Sequence, residues 1–95
     1  MIRQMDYARL KALLEEQETF PHDFTLKFIG VNSQAFAEDV KKFEARYPSL
    51  RKQAERKSSG EANIALTYLY LSQSADEIIT LLQDVSKLRD VKVIL

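Results

Sequence analysis

His22 is the only histidine in the chain, and Asp23 stands beside it. The pair could in principle supply a general base or two metal ligands. A metal needs more convergent donors than this, and neighbours on an extended chain point to opposite sides. A catalytic histidine also needs a nucleophile and an orienting partner, and the sequence places neither nearby. The pair therefore reads as part of a surface loop. A second candidate is Gly30-Val31-Asn32-Ser33. It lies between an alternating apolar stretch and a helical pattern, where the first free N–H groups and the dipole of a helix favour an anion. The helix that follows Ser74 carries Asp76 and Glu77 in its first turn, which disfavours an anion there. The acids after Ser33, Glu38 and Asp39, come a turn later. Of the two, the Gly30 loop is the better pocket for a carboxylate; a lone glycine before a helix is equally the mark of a plain helix cap, and that account is preferred.

Two further groups carry chemistry of a broader kind. Arg51, Lys52, Arg56 and Lys57 could touch phosphates. Glu55 and Glu61 interleave with them, so the stretch reads instead as an edge strand, charged to discourage edge-to-edge pairing, or as a mobile loop. Tyr68 and Tyr70 share a strand face with Ile64 and Leu66. RNA-recognition modules stack bases on sheet aromatics, but the residues after Gly60 do not form their aromatic-rich strand motif. A core role for the tyrosines is preferred. The absence of cysteine excludes disulfides and cysteine-based zinc or iron–sulfur sites. No residue set calls for a metal or any other cofactor.

The elements that must position these groups follow from periodicity. Tyr7, Leu10, Leu13 and Leu14 recur at helical spacing behind Asp6, a suitable N-cap, and the helix ends in Glu15-Glu16-Gln17-Glu18. Phe24, Leu26 and Phe28 alternate on one face of a strand that Gly30 is expected to end. Phe36, Val40, Phe43 and Tyr47 make the apolar stripe of a second helix, capped by Asn32 or Ser33 and stopped by Pro48. On that helix Glu38, Asp39, Lys41, Lys42 and Glu44 are expected to face water. Residues 64–71 form the strongest strand, with large side chains on both faces. Ser74-Ala75-Asp76-Glu77 is a capping box, and Ile78, Leu81, Leu82, Val85 and Leu88 follow at core-facing spacing. Val91-Lys92-Val93-Ile94-Leu95 is a last strand.

After the first helix the order is β-α-β-β-α-β. This predicts an α+β, ferredoxin-like two-layer sandwich: four antiparallel strands with two helices on one face, plus an N-terminal extra helix. At 95 residues the chain is expected to be a single domain, 1–95, with 1–18 as a helical extension. The 14 basic and 14 acidic residues cancel, which argues against a general nucleic-acid binder. Met1-Ile2-Arg3-Gln4-Met5-Asp6 has no apolar run that reads as a secretory leader, and no stretch is long enough to span a bilayer. The expectation is a cytoplasmic protein.

Several short motifs together resemble one family. These are Leu13-Leu14-Glu15, Phe20-Pro21, the strand from Phe24 to Gly30, Ser58-Ser59-Gly60 and the closing Val91-Lys92-Val93-Ile94-Leu95. From about Leu10 onward the chain resembles the YbeD-like family of small bacterial proteins of unknown function. That family is similar in fold to ACT regulatory domains, which bind small effectors such as amino acids and dimerise. The resemblance implies regulation, use of the first strand–helix loop, and no catalytic residues. The chain departs from the pattern in two places. Ser59 stands where many relatives carry lysine, and Glu16-Gln17-Glu18-Thr19 stands as an insertion.

The function expected from these features is a non-enzymatic regulatory or interaction module. It would bind a small anionic effector at Gly30, Val31, Asn32 and Ser33. The alternatives are an RNA-binding domain on the same topology and a small metal-independent enzyme. Because residues 64–71 are apolar on both faces, the outer face of the sheet is expected to be covered. A homodimer that pairs through this face is expected, the alternative being that the first helix lies over it. A small-molecule effector or a partner protein remains open as the occupant of a site; nucleic acid and membrane are not expected.

Overall fold

A computed structural model of the chain describes residues 6–95. Met1 to Met5, the stretch read as lacking a leader, lie outside the described residues. Helix α1 spans Tyr7–Gln17, β1 His22–Val31, α2 Gln34–Arg46, β2 Leu50–Lys57, β3 Asn63–Ser72, α3 Ala75–Ser86 and β4 Val91–Ile94. The four strands form one sheet in the order β2-β3-β1-β4. Every neighbouring pair is antiparallel. The fold is the α+β, ferredoxin-like sandwich that the periodicities predict.

The long central pairing of β1 with β3 decides which side chains meet. Phe24 lies opposite Tyr70, Leu26 opposite Tyr68 and Phe28 opposite Leu66. These residues share one face by the strand period of two, and α2 and α3 bury it. Phe28, Phe43, Ile78, Leu81 and Val85 have no exposed surface. The Phe28 ring meets Phe36 and Phe43 edge-on, with centroids 6.1 Å away in both cases, and stacks on Tyr68 at 5.9 Å. Offset and edge-on pairs of this kind add to the burial itself. The inward face of β3 is therefore Leu66, Tyr68 and Tyr70; Ala65, Thr67, Leu69 and Leu71 look out.

Two expectations and one alternative need correction. Gly30 does not end β1, which continues through Val31. It is there because the Phe36 ring lies against its backbone, so that a Cβ on residue 30 would sit 2.3 Å from a ring carbon. Helix α1 does not cover the outer face of the sheet. It packs against α3, with Leu14 in the core and Lys11 Nζ 3.0 Å from Asp76. His22 is not in a loop: it is the first residue of β1, half-buried, edge-on to Phe20 and 3.4 Å from Glu18.

The charged stretch at residues 51–57 is the edge strand β2 rather than a loop. Its alternation is broken at Gln53, where the register against β3 shifts between Lys52 and Ala54. This bulge puts an extra residue on one strand and resets which side chains face which layer. Lys52, Glu55 and Lys57 pair with Tyr68, Leu66 and Ile64, on the helix side of the sheet. Arg51, Ala54 and Arg56 pair with Leu69, Thr67 and Ala65, on the outer side.

Candidate ligand-binding groove

The Gly30-Val31-Asn32-Ser33 loop is held by other parts of the chain. Val31 N–H donates to Asp90 O at 2.9 Å, Asn32 N–H to Ala62 O at 3.0 Å and Ser33 N–H to Val31 O at 2.8 Å. The Asn32 side-chain amide donates to Glu61 O at 2.9 Å. Ser33, not Asn32, caps α2: its Oγ accepts from Phe36 N–H at 3.1 Å. The same hydroxyl donates to the Asp90 carboxylate at 2.6 Å. The N–H groups of residues 31–33 are thus occupied, and a carboxylate from the α3–β4 turn sits beside the cap.

Asn32 and Ser33 also form one end of a groove of about 520 Å³ between α2 and the β2–β3 edge. Phe36, Val40 and Leu66 give it an apolar floor. Lys41 and Glu44 come from α2, and Lys52, Glu55 and Lys57 from the helix-facing side of β2. The Gln53 bulge is what turns these three β2 residues toward the groove. A floor of hydrocarbon with a few convergent polar groups is the general form of a small-molecule site.

The charges in the groove are not equivalent. Lys52 Nζ is 2.6 Å from Glu55 and 3.6 Å from Glu44. Its hydrogen bond to Glu55 keeps its ammonium above the usual lysine range. Glu44 in turn accepts from the Tyr68 hydroxyl at 2.6 Å. Burial, and then that bond, push the phenol well above its ordinary value. Lys52, Glu44, Glu55 and Tyr68 are one network that closes the inner end. Lys57 reaches Glu61 at 3.5 Å on the exposed rim. Among the described residues no carboxylate lies within ion-pair distance of Lys41. Lys41, two turns into α2, and Lys57, on β2 opposite Ile64, are therefore the groove's cations outside that network.

Sequence reasoning named four residues for this site, and the structure places Asn32 and Ser33 on the groove. Gly30 lies behind it under Phe36, and Val31 is not on its wall. Lys41 and Glu44, read as simply water-facing, are wall residues. Tyr68 and Tyr70 are turned into the core, at 1% and 8% exposure, so they offer no stacking surface for bases. Among the described residues no three His, Asp or Glu side chains are grouped to hold a metal, and no helix is long and apolar enough to cross a membrane.

Comparison with known proteins agrees with this architecture. Residues 15–95 match the family profile described as "Protein of unknown function (DUF493)". The chain belongs to this family. Curated relatives named UPF0250 protein, from Haemophilus influenzae strains PittEE and ATCC 51907, are 28% identical over 97 aligned positions covering all of both chains. The YbeD-like resemblance read from the motifs is thereby borne out. Among solved structures the DUF493 fold is similar to the ACT domain from the GTP pyrophosphokinase of Chlorobium tepidum. The TM-score is 0.59 at 10% identity, over 78% of this chain and 97% of that one. That likeness is one of fold. The family match begins within α1, so most of that helix lies ahead of the matched region.

Proposed function

We propose that the chain is a regulatory module rather than an enzyme, and that it binds a small organic anion with an apolar portion in the α2–β2 groove. The observation that carries this reading is the groove itself, with its hydrocarbon floor and two lysines, Lys41 and Lys57, outside the Lys52–Glu44–Glu55 network. In this reading the anion is held by the two lysine ammoniums and the second N–H of the Asn32 side-chain amide, not by the loop N–H groups or by the Ser33 hydroxyl, whose proton goes to Asp90. Phe36, Val40 and Leu66 take the apolar part. Binding would act on α2 and on the Lys52–Glu44–Tyr68 network that closes the groove. The likeness of fold to an ACT domain supports a signalling role over catalysis. The enzyme alternative draws no support from the groove, which holds no paired nucleophile and base.

The test is a titration of ¹⁵N-labelled protein with a panel of small mono- and dicarboxylates and phosphates. Shifts at Asn32, Ser33, Ala37 and Lys57 that vanish in a Lys41→Ala/Lys57→Ala variant support the reading. No shift from any of them up to millimolar concentration, or shifts confined to another surface, would refute it.

A further inference from the structure

The outer face of the sheet is open, and its charge is one-sided. Its aliphatic surface runs down β3 through Leu71, Leu69 and Ala65 and across to Ile29 and Val93. Leu71 is 45% exposed, and no helix of the described residues lies over this face. Arg51 and Arg56 flank this strip on the β2 side, and Lys27 flanks it on β1. Lys92 joins them at one end, its Nζ 3.0 Å from the Asn63 side chain. The face carries one acid among its strand residues, Asp23, and that carboxylate is already tied to Arg51. The chain as a whole is neutral, so this excess of cations is a property of the face.

From this we infer that the outer sheet face docks an acidic amphipathic helix of another protein, with a leucine-type stripe on β3 and acids reaching the flanking cations. The inference stands apart from the groove and does not depend on it. Two features choose the occupant. A second copy on a two-fold axis would set one net-positive face against another, and like charges across an interface oppose association. Nucleic acid would meet the cations but find no aromatic platform, because every Phe and Tyr of the sheet strands is on the opposite face. An acidic helix meets both requirements. It would complete a third layer on a sheet whose other face already carries helices.

The experiment uses the full chain, ¹⁵N-labelled, and three probes: an amphipathic helical peptide with a leucine stripe flanked by glutamates, its lysine counterpart, and poly(U). The expected result is saturable shifts at Ile29, Ala65, Leu69, Leu71 and Val93 with the glutamate peptide alone, weakening as salt rises. Lys27→Glu/Arg56→Glu should weaken that binding about tenfold or more, with the circular dichroism unchanged. Leu69→Ser should weaken it without changing its salt dependence. Equal binding of the lysine peptide, saturable binding of poly(U) on these residues, or no shift to millimolar peptide would overturn the inference. So would sedimentation of the free protein as a dimer buried on this face.

Discussion

At the scale of single residues, the close approach of Phe36 to Gly30 makes a sharp prediction. Gly30 has ordinary strand geometry, so the issue is space and not backbone conformation. In Gly30→Ala the new methyl must displace a ring that is itself buried and wedged against Phe28. Overpacking of this kind costs about 1–3 kcal/mol, to be read as a lower urea midpoint with unchanged slope. A second residue-scale prediction concerns acid. Arg89 donates to Asp39 from its backbone N–H and from its guanidinium, both at 2.8 Å at closest, and joins α2 to the α3–β4 turn. These bonds hold the Asp39 carboxyl at about 2, against an ordinary 3.8. A folded-state value below the unfolded one means that this stabilisation is fully present above about pH 4. It is lost as pH falls from there through about 2. Asp39→Asn should therefore lower the melting temperature at neutral pH and flatten the acid limb of a stability-against-pH curve in that window. The hydrophobic positions of the core were legible in the sequence because their spacing is local. The Ser33–Asp90 bond was not, since it joins residues 57 apart. Gly30 could be picked out by type, but its reason lies in a ring six positions on.

At the scale of elements, the second half of the chain was easier to read than the middle. Ser74 and the apolar stripe from Ile78 to Leu88 follow local rules, and α3 forms where they predict. One detail differs: Glu77 accepts from Gln73 N–H at 2.8 Å, one residue before the cap, while Ser74 accepts from Glu77 N–H at 3.3 Å. Ser74→Ala removes one of the two cap bonds and should cost about 1 kcal/mol, measured by thermal or urea unfolding. Strand β2 is the opposite case. Strict alternation would put Arg51, Glu55 and Lys57 on one face and Lys52 and Arg56 on the other. The bulge at Gln53 instead gathers Lys52, Glu55 and Lys57 over the groove and leaves Arg51 and Arg56 outside. No residue type at that position announces a bulge, so half the wall of the candidate site was invisible until the register was known.

At the scale of the whole molecule, α1 is an accessory to the sandwich. It joins the helix layer through α3, and Leu14 is its one buried residue. Leu14→Ala should cost about 2–3 kcal/mol. Removing residues 1–17 should leave a folded β-α-β-β-α-β unit of lower stability, checked by the dispersion of its amide spectrum. Loss of all tertiary structure in that shortened chain would show that α1 is part of the core unit.

The strand order has a consequence for how the protein is made. β1 sits inside the sheet, and both of its neighbours, β3 and β4, are synthesised after it. While the nascent chain leaves the ribosome, β1 has no hydrogen-bonding partner until β3 emerges at residues 63–72, and its second edge stays bare until β4. Through that interval Phe24, Leu26 and Phe28 are an extended apolar segment with free edges, the sort of segment that chaperones bind and that aggregates when they do not. The long β1–β3 closure also makes spontaneous refolding slower than that of an all-helical chain of this length. Slow synthesis between the codons for β1 and β3 would lengthen that exposure, whereas the same delay after residue 72 would leave only one edge of β1 unprotected.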